Sequence, residues 1–111
     1  MHILRDVTGD NWESMQYLAN IYLNHARPSF EKIAAAIQNR DAVTLQSAAH
    51  GCAGSSASFG AETLSLMLHE LEMMGKQANM TQAGPKLEEC RCEFERVVSY
   101  LNHLFQQKLA A

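Results

Sequence analysis

His50 is the residue whose type and setting point most directly to chemistry. It lies in AAHGCAGSSASFG, residues 48–60, among alanine, glycine and serine. An imidazole can serve as a nucleophile or a proton carrier near neutral pH. Glycine inside a helix costs roughly 1 kcal/mol relative to alanine, so Gly51 and Gly54 need a reason other than helix propensity. The stretch raises two questions: which chemistry this imidazole performs, and why the residues around it have such small side chains.

The elements that position His50 are helices. Apolar residues recur at steps of three and four along most of the chain, and no segment alternates as a strand would. In the first helix the predicted buried face comprises Trp12, Met15, Ala19, Tyr22, Ala26, Phe30, Ile33 and Ile37. The pattern predicts helices at 10–40, 41–59, 61–75 and 85–109, after a lead-in at 1–9. The third helix has Leu64, Met67, Leu68, Leu71 and Met74 inward, and the fourth has Leu87, Cys90, Phe94, Val97, Leu101 and Leu104 or Phe105.

The predicted helix ends carry ordinary capping residues. Asp10, or Thr8, can cap the first helix, and Asp41 can cap the second. Gly60 is placed to end the second helix and Gly75 stands just past the end of the third.

Two prolines and the short connections complete the architecture. Pro28 should kink the first helix without ending it, because the apolar steps continue through it, and Pro85 opens the fourth helix. Short connections make successive helices antiparallel. The sequence therefore predicts an all-α, antiparallel up-and-down four-helix bundle, as a single domain over residues 1–111.

A helical wheel places His50 on the outside of the second helix. The apolar stripe of that helix is Leu45, Ala49, Cys52, Ser56 and Phe59. At about 100° per residue, His50 lies about 140° from this stripe and Gly54 about 180° from it. The imidazole is then the one large side chain on a low patch of small residues that a partner protein could approach. This patch comprises Ser47, Gly51, Ala53, Gly54, Ala57 and Ser58. Val43 is an apolar candidate for docking beside it.

A carboxylate is expected beside His50. If the second and third helices turn near Gly60 and Ala61, residues whose numbers sum to about 122 lie level with each other, which pairs His50 with Glu72. A carboxylate that accepts the Nδ1 proton would fix the tautomer and leave the Nε2 lone pair outward. The alternative for Glu72 is an ordinary solvated carboxylate.

Composition excludes several partners. The formal net charge is −3, whereas binders of nucleic acid or anionic membranes need clustered positive charge. No apolar run approaches the roughly 20 residues of a bilayer span, and no signal peptide is visible, so we expect a cytoplasmic protein. Cys52, Cys90 and Cys92 form an odd set and are expected to be reduced thiols.

The sequence also lacks the elements of a kinase or a metal protein. There is no Gly-rich nucleotide loop and no GK[ST] phosphate cradle, so self-phosphorylation from ATP is not expected. A metal-binding bundle is the rival class, yet Glu-x-x-His pairs are absent. Cys90 and Cys92 would lie about 200° apart on their helix. We predict no enzyme activity, no cofactor and no metal site in this chain.

The stretch AHGCAGSSASFGAETL resembles the signature of histidine phosphotransfer (HPt) domains. The matching positions are His50, Gly54, Ser55, Ser56, Phe59, Gly60 and Ala61, and Cys52 replaces the family's aliphatic residue. The proline-interrupted first helix, the segment LHELEMMGK and the chain length are also similar to the family's layout. The resemblance implies a four-helix bundle with the phosphorylated histidine exposed on the second helix.

The same resemblance implies a function. His50 would be the phosphorylated nucleophile and Glu72 would orient its imidazole. The phosphoryl group would pass between the receiver domains of a hybrid histidine kinase and of a response regulator, with Mg²⁺ supplied by the receiver. Small carriers of the family are usually monomers, so a monomer is expected.

One position departs from the family pattern. A lysine usually stands three residues after the histidine, and here that position is Ala53. The alternative hypothesis is therefore an HPt-like interaction module that docks receiver domains without being phosphorylated.

Overall fold

The computed structural model describes the backbone of residues 12–110 and the side chains of residues 13–105. This part of the chain contains four helices and no strand: α1 (Trp12–Gln38), α2 (Ala42–Phe59), α3 (Glu62–Lys76) and α4 (Ala83–Ala110). The predicted all-α class is confirmed, with each helix end within two residues of its predicted position. The proposed caps Thr8 and Asp10, and the side chain of Trp12, lie outside the described residues.

The helices pack as a ring in chain order. Within the described residues α1 packs beside α2, α2 beside α3, α3 beside α4, and α4 beside α1, whereas no Cα atoms of the diagonal pairs lie within 8 Å of each other. The connections from α1 to α2 and from α2 to α3 are only a few residues long, so each places the following helix antiparallel to the preceding one. The up-and-down four-helix bundle predicted from the sequence is confirmed.

Both predicted ends of α2 are confirmed. The Asp41 carboxylate accepts hydrogen bonds from the Thr44 backbone N–H at 3.1 Å and from Thr44 Oγ1 at 2.6 Å, and these bonds lower the pKa of Asp41. At the other end Gly60 adopts φ 101°, a left-handed conformation, and its N–H bonds the carbonyls of Ser56 and Ala57. The turn between α2 and α3 is therefore fixed by residues that the sequence identifies.

Gly75 does not end α3, and that prediction was wrong. The residue is buried inside the last turn of the helix, which continues to Lys76. A Cβ atom at Gly75 would lie 2.8 Å from the backbone N of Gln46 and 3.0 Å from the carbonyl O of Ala42. The glycine is needed because α3 and the start of α2 touch backbone to backbone at this point.

The two prolines are accommodated inside helices. α1 is continuous through Pro28, and the kink near this residue stays a prediction. α4 begins at Ala83 and not at Pro85. Pro85 is tolerated there because the backbone N–H groups of a helix's first turn have no partner within the helix.

The α2 stripe forms one wall of the core, as the wheel predicts. All five of its residues are buried. Ser56 is satisfied inside the core by a 2.7 Å hydrogen bond between its Oγ and the Tyr22 hydroxyl, and the Tyr22 ring stacks on Phe59 with 4.5 Å between centroids. Of the predicted buried residues, Met67, Met74 and Ile37 are only half-buried, and Ala36 is buried in addition. Of the two alternatives at the end of α4, Leu104 is buried and Phe105 is half-buried.

Candidate functional site

His50 projects from the outer face of α2. Its neighbour Ala49 is fully buried, which turns the imidazole away from the core, and 70% of the His50 side chain is exposed. The helix is anchored beneath it by Leu45 and Cys52, both at 0% exposure. The reactive group is thus presented to solvent from a rigid element.

Glu72 lies where the hairpin register places it. The carboxylate comes from α3, and its Oε2 atom is 2.9 Å from Nδ1 of His50. Only 17% of the Glu72 side chain is exposed. The Glu72 side chain is therefore folded against α2 and bonded to His50, which favours the predicted pairing over an ordinary solvated carboxylate.

The charge of Glu72 defines the direction of this hydrogen bond. Partial desolvation acts to raise the pKa of Glu72, but the hydrogen bonds from His69 and His50 outweigh it, and the pKa is lowered below its usual value. The group is ionised at neutral pH and can only accept. Nδ1 of His50 therefore donates, and in the neutral imidazole the lone pair lies on Nε2, facing solvent.

His69 is a member of the site that the sequence reasoning missed. Its Nδ1 atom lies 3.0 Å from Oε1 of Glu72, the oxygen that His50 does not use. The signal that could have revealed it is spacing, since residues three apart on a helix are neighbours on its surface. The structure thus brings together two imidazoles and one carboxylate.

The low patch around His50 is present, with one correction. Ser47, Gly51, Gly54 and Ala57 are exposed, and a Cβ atom at Gly51 or Gly54 would meet nothing within 4 Å. Ala53 does not belong to this surface, because it is fully buried. Its carbonyl also accepts a 2.8 Å hydrogen bond from Ser65 Oγ of α3, which ties this side of α2 to the bundle interior.

Two hollows flank the imidazole. An open hollow of about 380 Å³ contains His50 and Glu72 and is bordered by Val43, a residue that is 77% exposed. A larger cleft of about 770 Å³ lies between α1 and α2 and is lined by Lys32 together with Gly51. Lys32 is distant in the sequence, so only the folded chain brings this basic residue to a cleft that Gly51, the residue after His50, also lines.

The thiols lie away from this chemistry. Cys52 and Cys90 are buried, and burial raises the pKa of Cys52 to about 11 and that of Cys90 to about 12. Cys92 is exposed, and all three cysteines are free. Among the side chains of residues 13–105, no group of three or more histidine, cysteine, aspartate or glutamate residues is arranged to hold a metal ion.

The family is shown by a match over most of the chain. The family model described as the Hpt domain matches residues 18–107. The chain belongs to the Hpt family of histidine phosphotransfer domains and functions in histidine phosphotransfer within two-component phosphorelays. Domains of this family are phosphocarriers rather than enzymes, and they interact with receiver domains.

A solved structure shares the fold. The crystal structure of histidine-containing phosphotransfer protein B (HptB) from Pseudomonas aeruginosa PAO1 aligns with a TM-score of 0.79 and 24% identity, covering 95% of this chain and 88% of that one. A comparison with curated proteins finds no significant match. Within the described residues, no helix combines the length and apolar character that a bilayer crossing requires.

Proposed function

We propose that His50 is the phosphorylated residue and that its Nε2 atom relays the phosphoryl group between receiver aspartates. The observation that carries the proposal is the bond between His50 Nδ1 and the ionised carboxylate of Glu72, on an imidazole that is 70% exposed. This arrangement leaves the Nε2 lone pair free and outward, which is what a nucleophile requires.

The transfer step follows from this geometry. The Nε2 lone pair attacks the phosphorus of an aspartyl phosphate, the bond between phosphorus and the aspartyl oxygen breaks, and the carboxylate leaves with the electron pair. The imidazole ring becomes cationic as the new bond forms. Glu72 stabilises that charge through the proton on Nδ1, which stays in place throughout. The reverse step delivers the group to an aspartate of a second receiver.

The remaining parts of the reaction belong to the partner. The first receiver would be that of a hybrid histidine kinase and the second that of a response regulator, and each would bring the Mg²⁺ that neutralises the phosphoryl oxygens. Both oxygens of Glu72, the carboxylate beside His50, are already bonded to imidazoles.

We further propose that the chain has no ATP-binding element, acts as a monomer and works in the cytoplasm, where phosphorylated receivers occur.

The docking surface is the low patch and its rim. Gly51 and Gly54 leave open space beside the imidazole, so the receiver's active site can approach it closely, as in-line transfer demands. Val43 offers an exposed apolar contact at the edge of the hollow that holds His50.

The proposal is tested by phosphorylation of the wild type and of His50→Gln, with phosphoramidate or a phosphorylated receiver domain as donor. Intact mass should show one added phosphoryl group on the wild type, labile to acid, and none on the variant. His103→Gln is the matched control, because it replaces an exposed histidine on α4, the helix diagonally opposite α2 in the bundle. It should be modified like the wild type.

Two outcomes would contradict the assignment. If His50→Gln kept the full phosphoryl gain, another residue would be the acceptor. If a folded wild type stayed unmodified with each donor while still binding receiver domains, the chain would be the docking module that the alanine at position 53 suggests.

A further inference from the structure

His50 and His69 share one carboxylate. Oε2 of Glu72 bonds His50 at 2.9 Å and Oε1 bonds His69 at 3.0 Å, so each oxygen has its own imidazole. The two histidines come from different helices. His69 and Glu72 lie three residues apart on α3, whereas His50 is on α2. The bond from His69 to Glu72 is therefore made within α3, and it does not depend on His50.

We propose that His69 is a positioning residue that holds the Glu72 carboxylate in the orientation that fixes the His50 tautomer. The inference builds on the proposed role of His50. His69 acts through Glu72 and does not itself carry the phosphoryl group.

The physical reason is the freedom of a glutamate side chain. Glutamate has three side-chain torsions, and ordering it costs up to about 2 kcal/mol of conformational entropy. Its last torsion is broad, so a carboxylate held at one oxygen can still turn about its final bond. A donor on each oxygen removes that freedom. His69 therefore preorganises the acceptor that His50 Nδ1 needs, before any partner arrives.

Position argues against His69 being the acceptor itself. Half of its side chain is exposed and its Nδ1 is bonded like that of His50. Its helical neighbours, however, are the protruding Leu66 and Met73, which are 67% and 47% exposed. They stand three residues before and four residues after it on the same helix face. A receiver's active site can lie closer over His50 than over His69, because Gly51 and Gly54 leave open space beside His50.

The experiment compares three proteins labelled with ¹⁵N in histidine: wild type, His69→Ala and His69→Asn. Long-range ¹H–¹⁵N spectra report which ring nitrogen of His50 carries the proton, and they need no phosphoryl donor. Asparagine is the conservative variant because its side-chain amide can donate from nearly the position of the histidine Nδ1. Single-turnover phosphotransfer rates are measured on the same proteins, and amide spectra check that each is folded.

We expect His50 of the wild type to carry its proton on Nδ1. In His69→Ala the two tautomers should mix and transfer should slow by roughly three- to tenfold, a modest effect because His69 acts only through Glu72. His69→Asn should restore both readouts. The idea is overturned if His69→Ala leaves the tautomer unchanged, or if His69→Asn behaves like alanine.

The two readouts separate this inference from the assignment of His50. A wild type that takes no phosphoryl group would refute the proposed carrier role, while the tautomer spectra would still decide whether His69 positions Glu72. Phosphorylation that persists in His50→Gln and disappears in His69→Ala would show that His69 is the acceptor, and would refute the positioning role.

Discussion

Glu72 and His50 lie level with each other across the turn between α2 and α3, with 2.9 Å between Oε2 and Nδ1. The turn itself is fixed by Gly60, whose φ of 101° suits glycine. Ser65 adds a bond from α3 to the Ala53 carbonyl of α2. The site is therefore a property of the α2–α3 hairpin.

Glu72→Gln should slow phosphotransfer by about tenfold. The amide oxygen can still accept the Nδ1 proton, but a neutral acceptor stabilises the developing imidazolium less than a carboxylate does, by about 1–1.5 kcal/mol. Single-turnover transfer from a phosphorylated receiver measures the effect, with Glu70→Gln as the control on the same helix. Equal rates for Glu72→Gln and the wild type would show that the charge has no part in the step.

The pKa of Glu72 should be below that of an ordinary glutamate and should rise when an imidazole is removed. Hydrogen bonds from His69 and His50 outweigh desolvation in lowering it. Because the folded-state pKa is the lower one, the pairing contributes stability above the unfolded-state pKa and loses it as pH falls through the folded value. Carbon-13 titration of the carboxyl in wild type and His50→Gln measures this. A higher pKa in the wild type than in the variant would contradict the geometry.

Two glycine-to-alanine changes should act in opposite directions. Gly54→Ala should stabilise the protein by up to about 1 kcal/mol, since the new methyl meets open space and alanine favours helix. Gly75→Ala should destabilise it by about 1–3 kcal/mol, because its Cβ would lie 2.8 Å from the Gln46 backbone. Urea denaturation measures both. Similar shifts of the same sign would argue against the close approach of α3 to α2.

Tyr22→Phe should destabilise the bundle by about 1–3 kcal/mol, because it leaves the buried Ser56 hydroxyl without its 2.7 Å partner. Adding Ser56→Ala should recover part of the loss, since both polar groups are then gone. Burial also raises the pKa of Tyr22 to about 12. A double-mutant cycle in urea gives the coupling, and strictly additive effects would mean that the bond is not made.

The three cysteines should differ in the reactivity of their thiols. Cys92 is exposed, whereas burial raises the pKa values of Cys52 and Cys90 to about 11 and about 12, so the buried pair carries little thiolate at neutral pH. One thiol should react rapidly with a disulfide reagent in the native protein, and all three should react after unfolding. Cys92→Ser should remove the rapid phase. A rapid phase that persisted in this variant would contradict the burial of the other two.

The sequence by itself was sufficient for the bundle and for the two residues at the centre of the site. Helix periodicity depends on local spacing, which predicts each helix and the face that it buries. The exposure of His50 follows from its angle to the Leu45 stripe. The pairing with Glu72 follows from counting outward from a short turn at Gly60, since an antiparallel hairpin leaves little freedom of register.

Only the tertiary structure decided what lies between the helix axes. A wheel gives directions about one axis and contains no information on how closely the next helix approaches. The close approach of the neighbouring helix buries Ala53. At Gly75 it requires a residue without a side chain, so this glycine serves helix packing and does not end the helix. The fold also brings Lys32 of α1 to the cleft beside Gly51. His69 belongs to the site because Glu72 bonds His50 of α2 with one carboxylate oxygen and His69 of α3 with the other.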